Sequence, residues 1–205
     1  NDPIHRYEVG RTIDRIQFAK DSRRILGLAG KRSLVWNFDT ARGVVTLRQD
    51  GKVPAIDLSQ DGLRIATAGD DQVLRLWQTR DGRQIWATKK LGNPLKALDV
   101  DPQDRLIAAS DVGGKVHVHS MDDGAKKFTL TGHAHPIPIV RFLSDSTRLL
   151  TAGADSKTSD EGRATVWSLA DQSEQQTLYR PNVITAADVN SAGTLLATVE
   201  DGDAD

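Results

Sequence analysis

Cysteine is absent, which rules out disulfides and thiolate metal centres and leaves the redox compartment open. No apolar run approaches the roughly 20 residues that a membrane-spanning helix needs, so no membrane span is expected. Excess charge is missing too: 27 basic residues stand against 28 acidic ones, a net charge of −1. So balanced a surface does not attract nucleic acid or an anionic membrane as a whole, and no nucleic-acid partner is expected. The first residues, NDPIHRYEVG, lack the basic-then-apolar layout of a signal peptide, and the localisation stays undetermined. Helical periodicity is the last absence. Apolar residues alternate or run in short blocks, as they do in strands with one or both faces buried.

What is present is a repeated unit. Gly62–Trp77 reads GLRIATAGDDQVLRLW, two short strand-like runs joined by a Gly-Asp-Asp turn and preceded by the turn SQDG. Gly and Asp tolerate the backbone angles of tight turns, so the stretch reads as a β-hairpin. Versions of it recur at Lys20–Trp36 and Ser144–Trp167, and Trp36 and Trp77 lie 41 residues apart (77 − 36). Five inner-strand motifs align with the hairpins: IDRIQF, VPAIDL, LKALDV, IPIVRF and ITAADV. Each is followed by a turn rich in Asp, Ser, Gly or Pro and by a second apolar run. Third strands end near Trp36, Trp77, His119 and Trp167, and more polar fourth strands close the units. Lys89, Lys90, Lys126 and Lys127 on those fourth strands suit an outer edge that must avoid pairing with other chains. Four strands of about five residues in each unit of about 41 to 48 residues match the blade of a β-propeller.

The period, the Trp ending the third strand, the turn aspartates Asp71 and Asp155 and the pair Gly132-His133 together resemble the WD40-repeat family of β-propellers. The expected fold is all-β, with four-stranded antiparallel blades over roughly 11–50, 51–92, 93–131 and 132–181. An outer strand of a preceding blade is expected over 4–9, and the first strands of a further blade over 182–205. This register reads as part of a seven-bladed ring, the remaining blades lying on further chain or on a second molecule. The resemblance implies that His133, Thr151, Asp155 and Trp167 form a hydrogen-bonded relay, His133 standing between the carboxylate and the hydroxyl. Thr67, Asp71 and Trp77 are its counterparts in the second unit. Departures from the family pattern are His119 in a Trp position, Gly10-Arg11 in place of Gly-His, and no turn Asp in the first unit.

Hydroxyl, imidazole and carboxylate also make up a hydrolase triad. No Gly-x-Ser-x-Gly elbow surrounds Thr151, however, and a threonine within a strand is poorly exposed to substrate. No catalytic residue is therefore assigned. The pairs His117/His119 and His133/His135 have no carboxylate at a metal-ligand spacing, so neither a metal nor a cofactor is expected. One position of the inner-strand motif is polar in every unit: Gln17, Asp57, Asp99, Arg141 and Asp188. Inner strands line a propeller's channel, so these residues are expected to form a ring there. That ring reads as a hydrated wall in which Arg141 offsets the aspartates, with a small cation or ligand as the sharper alternative. Between Asp155 and Ala164 the fourth unit inserts SKTSDEGR. Its Lys157, Asp160, Glu161 and Arg163, with His135, are the expected partner-binding groups, because loops on a rigid scaffold concentrate function. The reading that follows is a non-enzymatic protein–protein interaction scaffold. Its rivals are a channel-based enzyme or ligand sensor, and a regulatory array attached to a catalytic domain.

Overall fold

The hairpin signals become sheets in chain order. A computed structural model describes residues 12–18, 24–37, 45–155, 161–190 and 194–201, with eighteen strands and no helix among them. The first sheet is β1 (Arg15–Phe18), β2 (Arg24–Ala29), β3 (Arg32–Asn37) and β4 (Val45–Arg48). The second is β5 (Ala55–Leu58), β6 (Arg64–Ala68), β7 (Leu74–Gln78) and β8 (Gln84–Ala87). The third is β9 (Leu95–Val100), β10 (Leu106–Asp111), β11 (Lys115–Ser120) and β12 (Lys126–Thr131). The fourth is β13 (Ile139–Phe142), β14 (Arg148–Ala154), β15 (Gly162–Ser168) and β16 (Glu174–Arg180). A two-stranded sheet, β17 (Ile184–Val189) with β18 (Leu196–Glu200), follows. Each strand pairs antiparallel with its neighbour in sequence, so every sheet is a meander of hairpins, an all-β propeller-blade architecture. The outer strand expected over 4–9 lies outside the described residues. With no helix described, none is long and apolar enough to cross a membrane.

Turn chemistry fixes the register. The turns between first and second strands place Gly62, Asp104 and Ser146 at φ of 72°, 56° and 56°, the left-handed region that usually favours glycine. Asp104 accepts that conformation and puts its carboxylate to use. Oδ1 and Oδ2 accept the backbone N–H groups of Gln60 (2.7 Å) and Asp61 (3.1 Å) in the preceding blade. Gly62, lacking a side chain, cannot make the equivalent bond.

The core lies between blades. One cluster packs Ala66, Leu74 and Leu76 of the second sheet against Leu95, Leu98 and Ile107 of the third. Another packs Val116, Val118 and Leu130 of the third against Val140, Leu149 and Trp167 of the fourth. Similar clusters join the first sheet to the second and the fourth to β17–β18. Full burial of each Leu, Ile or Val side chain is worth about 1.5–3 kcal/mol, so stability comes from stacking neighbours and not from any sheet alone. Outer strands are more exposed, and Lys126 and Lys127 stand in solvent on β12. At the opposite edge the five inner strands β1, β5, β9, β13 and β17 converge on one cavity of about 290 Å³.

Candidate interaction face and the polar relays behind it

The relays sit inside the blades, where buried polar groups must find partners. In the fourth blade Trp167 Nε1 donates to Thr151 Oγ1 at 2.8 Å, and His133 Nε2 lies 2.8 Å from the same oxygen. Thr151 is fully buried. The fourth member behaves differently from expectation. Asp155 does not join His133, whose Nδ1 is buried without a partner; it pairs with Arg163 at 3.4 Å. Arg163 Nη2 also donates to both oxygens of Glu174 at 2.7 Å, Nη1 donates to the Gly132 carbonyl, and Nε donates to Thr165 Oγ1 at 3.1 Å. The Tyr179 ring lies 5.7 Å from its guanidinium carbon. A planar cation with five donors competes for a carboxylate better than a neutral imidazole does, which is why Asp155 turns to it. Burial, assisted by the neighbouring Arg163 charge, lowers the His133 pKa from 6.5 to about 4 even though Asp155 and Glu174 pull it upward. His133 is therefore neutral in the fold.

Arg163 is thus a correction. Its position in the inserted stretch predicts an exposed contact group, but it opens β15 and is 8% exposed. Glu161 is exposed, and its carbonyl accepts the Asp155 N–H at 2.8 Å to close the neck of the loop. His135 is half-buried, with Nε2 unpartnered. Lys157 and Asp160 lie outside the described residues.

The turn carboxylate is likewise paired with a nearby basic side chain in the second and third blades. In the second, Trp77 Nε1 donates to Thr67 Oγ1 at 2.8 Å. Asp71 forms a two-pronged pair with Arg75, at 2.6 and 3.1 Å, and does not reach Thr67; Arg75 also donates to Gln49 Oε1 at 2.9 Å. In the third, His117 Nε2 lies 2.9 Å from Asp111 Oδ2. Burial pushes the Asp111 carboxyl up, but His117, the Lys115 N–H and the Asn93 amide together hold it below the usual range. His119, in the Trp position, sets Nδ1 2.9 Å from the Gly124 carbonyl, and burial lowers its pKa. No group of three His, Asp or Glu side chains able to hold a metal occurs among the described residues. In the first blade Gly27 stands where Thr67 and Thr151 stand, opposite the third strand. A Cβ there would come within 2.6 Å of the Trp36 ring, and Trp36 Nε1 is buried without a partner. The basic residue shortly before the third-strand aromatic (RLW, HVH, RATVW) is the sequence signal for these carboxylate partners.

The polar inner-strand positions also depart from expectation. Asp57 and Arg141 line the cavity between the inner strands, but the aspartates at these positions are engaged by backbone N–H groups. Asp57 is 7% exposed, and its Oδ2 accepts the Val100 N–H on the next inner strand at 3.0 Å. Asp99 is 4% exposed and accepts the Phe142 N–H, again on the next inner strand, at 2.7 Å. A carboxylate beside an inner-strand edge is held by the N–H facing it, so Asp57 and Asp99 link blades. Arg141 cannot accept a bond; it donates to Asp99 at 3.4 Å. Asp188 is exposed and accepts the N–H of Val189 beside it. Gln17 stands on β1, its side chain outside what is described.

Comparison with known proteins adds to this geometry. A family model described as WD domain, G-beta repeat matches residues 43–78. Ribosome biogenesis protein erb1 of Aspergillus clavatus is 31% identical over 112 residues, 49% of this chain and 14% of the relative. Transcription initiation factor TFIID subunit 5 of Caenorhabditis elegans is 23% identical over 164 residues, 80% of this chain and 24% of the relative. An F-box/WD-40 repeat-containing protein of Arabidopsis thaliana is 29% identical over 102 residues, 44% of this chain and 19% of the relative. The chain therefore spans under a quarter of the length of each of these relatives. The chain thus carries a WD repeat over residues 43–78, and its sequential four-stranded sheets, two of them with a Thr–Trp bond inside, are similar to the blades of WD-repeat β-propellers.

Proposed function

We propose that these repeats are a non-enzymatic scaffold that binds protein partners. The observation that carries the reading is where the reactive groups stand. Thr67, Thr151, His117, His133, Asp71 and Asp111 are each bonded inside a blade, in service of the fold. What the blades offer outward is a face of short loops. Lys31, Asp70, Val112, Lys115 and Glu161 stand exposed at or beside the hairpins between second and third strands. Mixed charge around scattered apolar groups suits the rim of a protein interface, where it contributes specificity and on-rate more than affinity. The near-zero net charge favours protein over nucleic acid as the partner. Among the relatives, one is named for ribosome biogenesis and another as a transcription factor subunit, and neither printed name is that of an enzyme.

Cross-linking and mass spectrometry of the full-length protein in its native cells tests this. The expected result is a protein cross-linked through Lys31 or Lys115, with capture weakened by Asp70→Arg and Glu161→Arg and the melting temperature unchanged. A turnover activity abolished by Thr151→Val while the fold persists would overturn it.

A further inference from the structure

We infer that the central cavity is a binding site for an acidic peptide segment, two or three carboxylate side chains of a partner protein. The inference rests on the scaffold reading and deepens it. Three long cations enter the 290 Å³ cavity from three inner strands: Arg15 from β1, Lys96 from β9 and Arg141 from β13. Arg15 and Lys96 are exposed and form no ion pair with another described residue. Arg141 has one carboxylate, Asp99, at 3.4 Å, and its side chain remains 47% exposed.

The lining contains a single carboxylate, Asp57, buried and bonded to the Val100 N–H. Asp57 and Asp99, which in sequence promise a cation site, are thus each tied to the next inner strand. The cations are left facing the space. A concave wall in which three cations outnumber one bonded carboxylate carries a net positive field and concentrates anions.

Size chooses among anions. The cavity is at the lower limit of ligand-sized sites, so it takes a few side chains and excludes a nucleic-acid duplex. Arg15 and Arg141 present planar forks that match carboxylate geometry, and Lys96 adds a point charge that needs no fixed direction. A short run of Glu or Asp in a partner meets all three.

The test measures fluorescence anisotropy of a labelled hexaglutamate peptide with the full-length protein at low and physiological ionic strength. Binding is expected at low salt and weakens as salt is added. Arg15→Glu and Lys96→Glu are each expected to weaken it by roughly tenfold or more, since each replaces an attraction by a repulsion, while Lys96→Arg retains it. Both positions are exposed, so circular dichroism is expected to be unchanged; Lys96→Gln serves if a reversal disturbs the fold. Equal binding by wild type and the charge variants, or no binding, overturns the inference. So does a single-stranded oligonucleotide that binds as tightly with the same dependence on Arg15 and Lys96, because the site would then be one for nucleic acid. If cross-linked partners persist while the peptide result is negative, the cavity falls and the scaffold reading stands. If the peptide binds as expected and no protein partner is ever cross-linked, the scaffold reading falls instead.

Discussion

The four third-strand positions carry three tryptophans and a histidine, and the tryptophans do not do the same work. Trp77 and Trp167 donate to threonine hydroxyls, whereas Trp36 lies against Gly27 with its N–H unpartnered. Trp167→Phe strips Thr151 of a buried donor, and Trp36→Phe removes an N–H that had no partner. Thermal and denaturant melts are expected to show Trp167→Phe costing about 1 kcal/mol more than Trp36→Phe. His133 gives a pH dependence at the same scale. Its folded pKa, about 4, lies below the ordinary 6.5. Between those values the unfolded chain binds a proton and the folded one does not. Stability is therefore fully present above pH 6.5 and falls as pH drops toward 4, by up to about 1.4 kcal/mol per pH unit. Melting temperatures of wild type and His133→Gln across that range are expected to converge at low pH. A parallel decline would mean that His133 is not the group responsible.

Among elements, β15 holds the fourth blade together through one side chain. Arg163 ties the turn carboxylate, the outer-strand Glu174 and the Gly132 carbonyl to one guanidinium. Arg163→Met removes the cation from the half-buried Asp155 and the exposed Glu174, a loss of charged hydrogen bonds expected to cost about 1.5–3 kcal/mol. Arg163→Lys recovers charge but not the fork, so its stability is expected to fall between the two in urea titrations. The hairpins were legible in the sequence because alternation and turn residues are local signals; GDDQ between two apolar runs needs no distant partner to fold back. Arg163 was not legible. It follows SKTSDEG and looks like a loop tip, and only the pairing of β15 with β16 shows that it stands opposite Tyr179, on the strand that carries Glu174. The Thr–Trp bonds could be named from resemblance, but the rotation of Asp155 away from His133 depends on that unforeseen cation.

For the whole molecule, the inner-strand aspartates decide how blades are joined. Their sequence position said only that they lie near the axis. The direction each side chain takes is set by an N–H 43 residues further on, which no local pattern reveals. Asp57→Ala and Asp99→Ala are expected to speed hydrogen exchange at Val100 and Phe142 respectively, each losing a bond to a charged acceptor worth about 1.5–3 kcal/mol. If exchange at those amides were unchanged, the cores between sheets alone would be holding the blades in register.

These two bonds run the same way: a carboxylate on one inner strand takes an N–H on the next. Asp99 sits beside Val100, so the third unit carries both halves, receiving from Asp57 through Val100 and reaching onward through Asp99. A unit of that kind can be copied in tandem and find its neighbour at once, because the copy brings a socket and a plug together. The link has a fixed sense, so growth of the array by duplication preserves the order of blades. A substitution at this one position ends the series, as Arg141 does: it can only donate, and Asp188 caps its own neighbour instead.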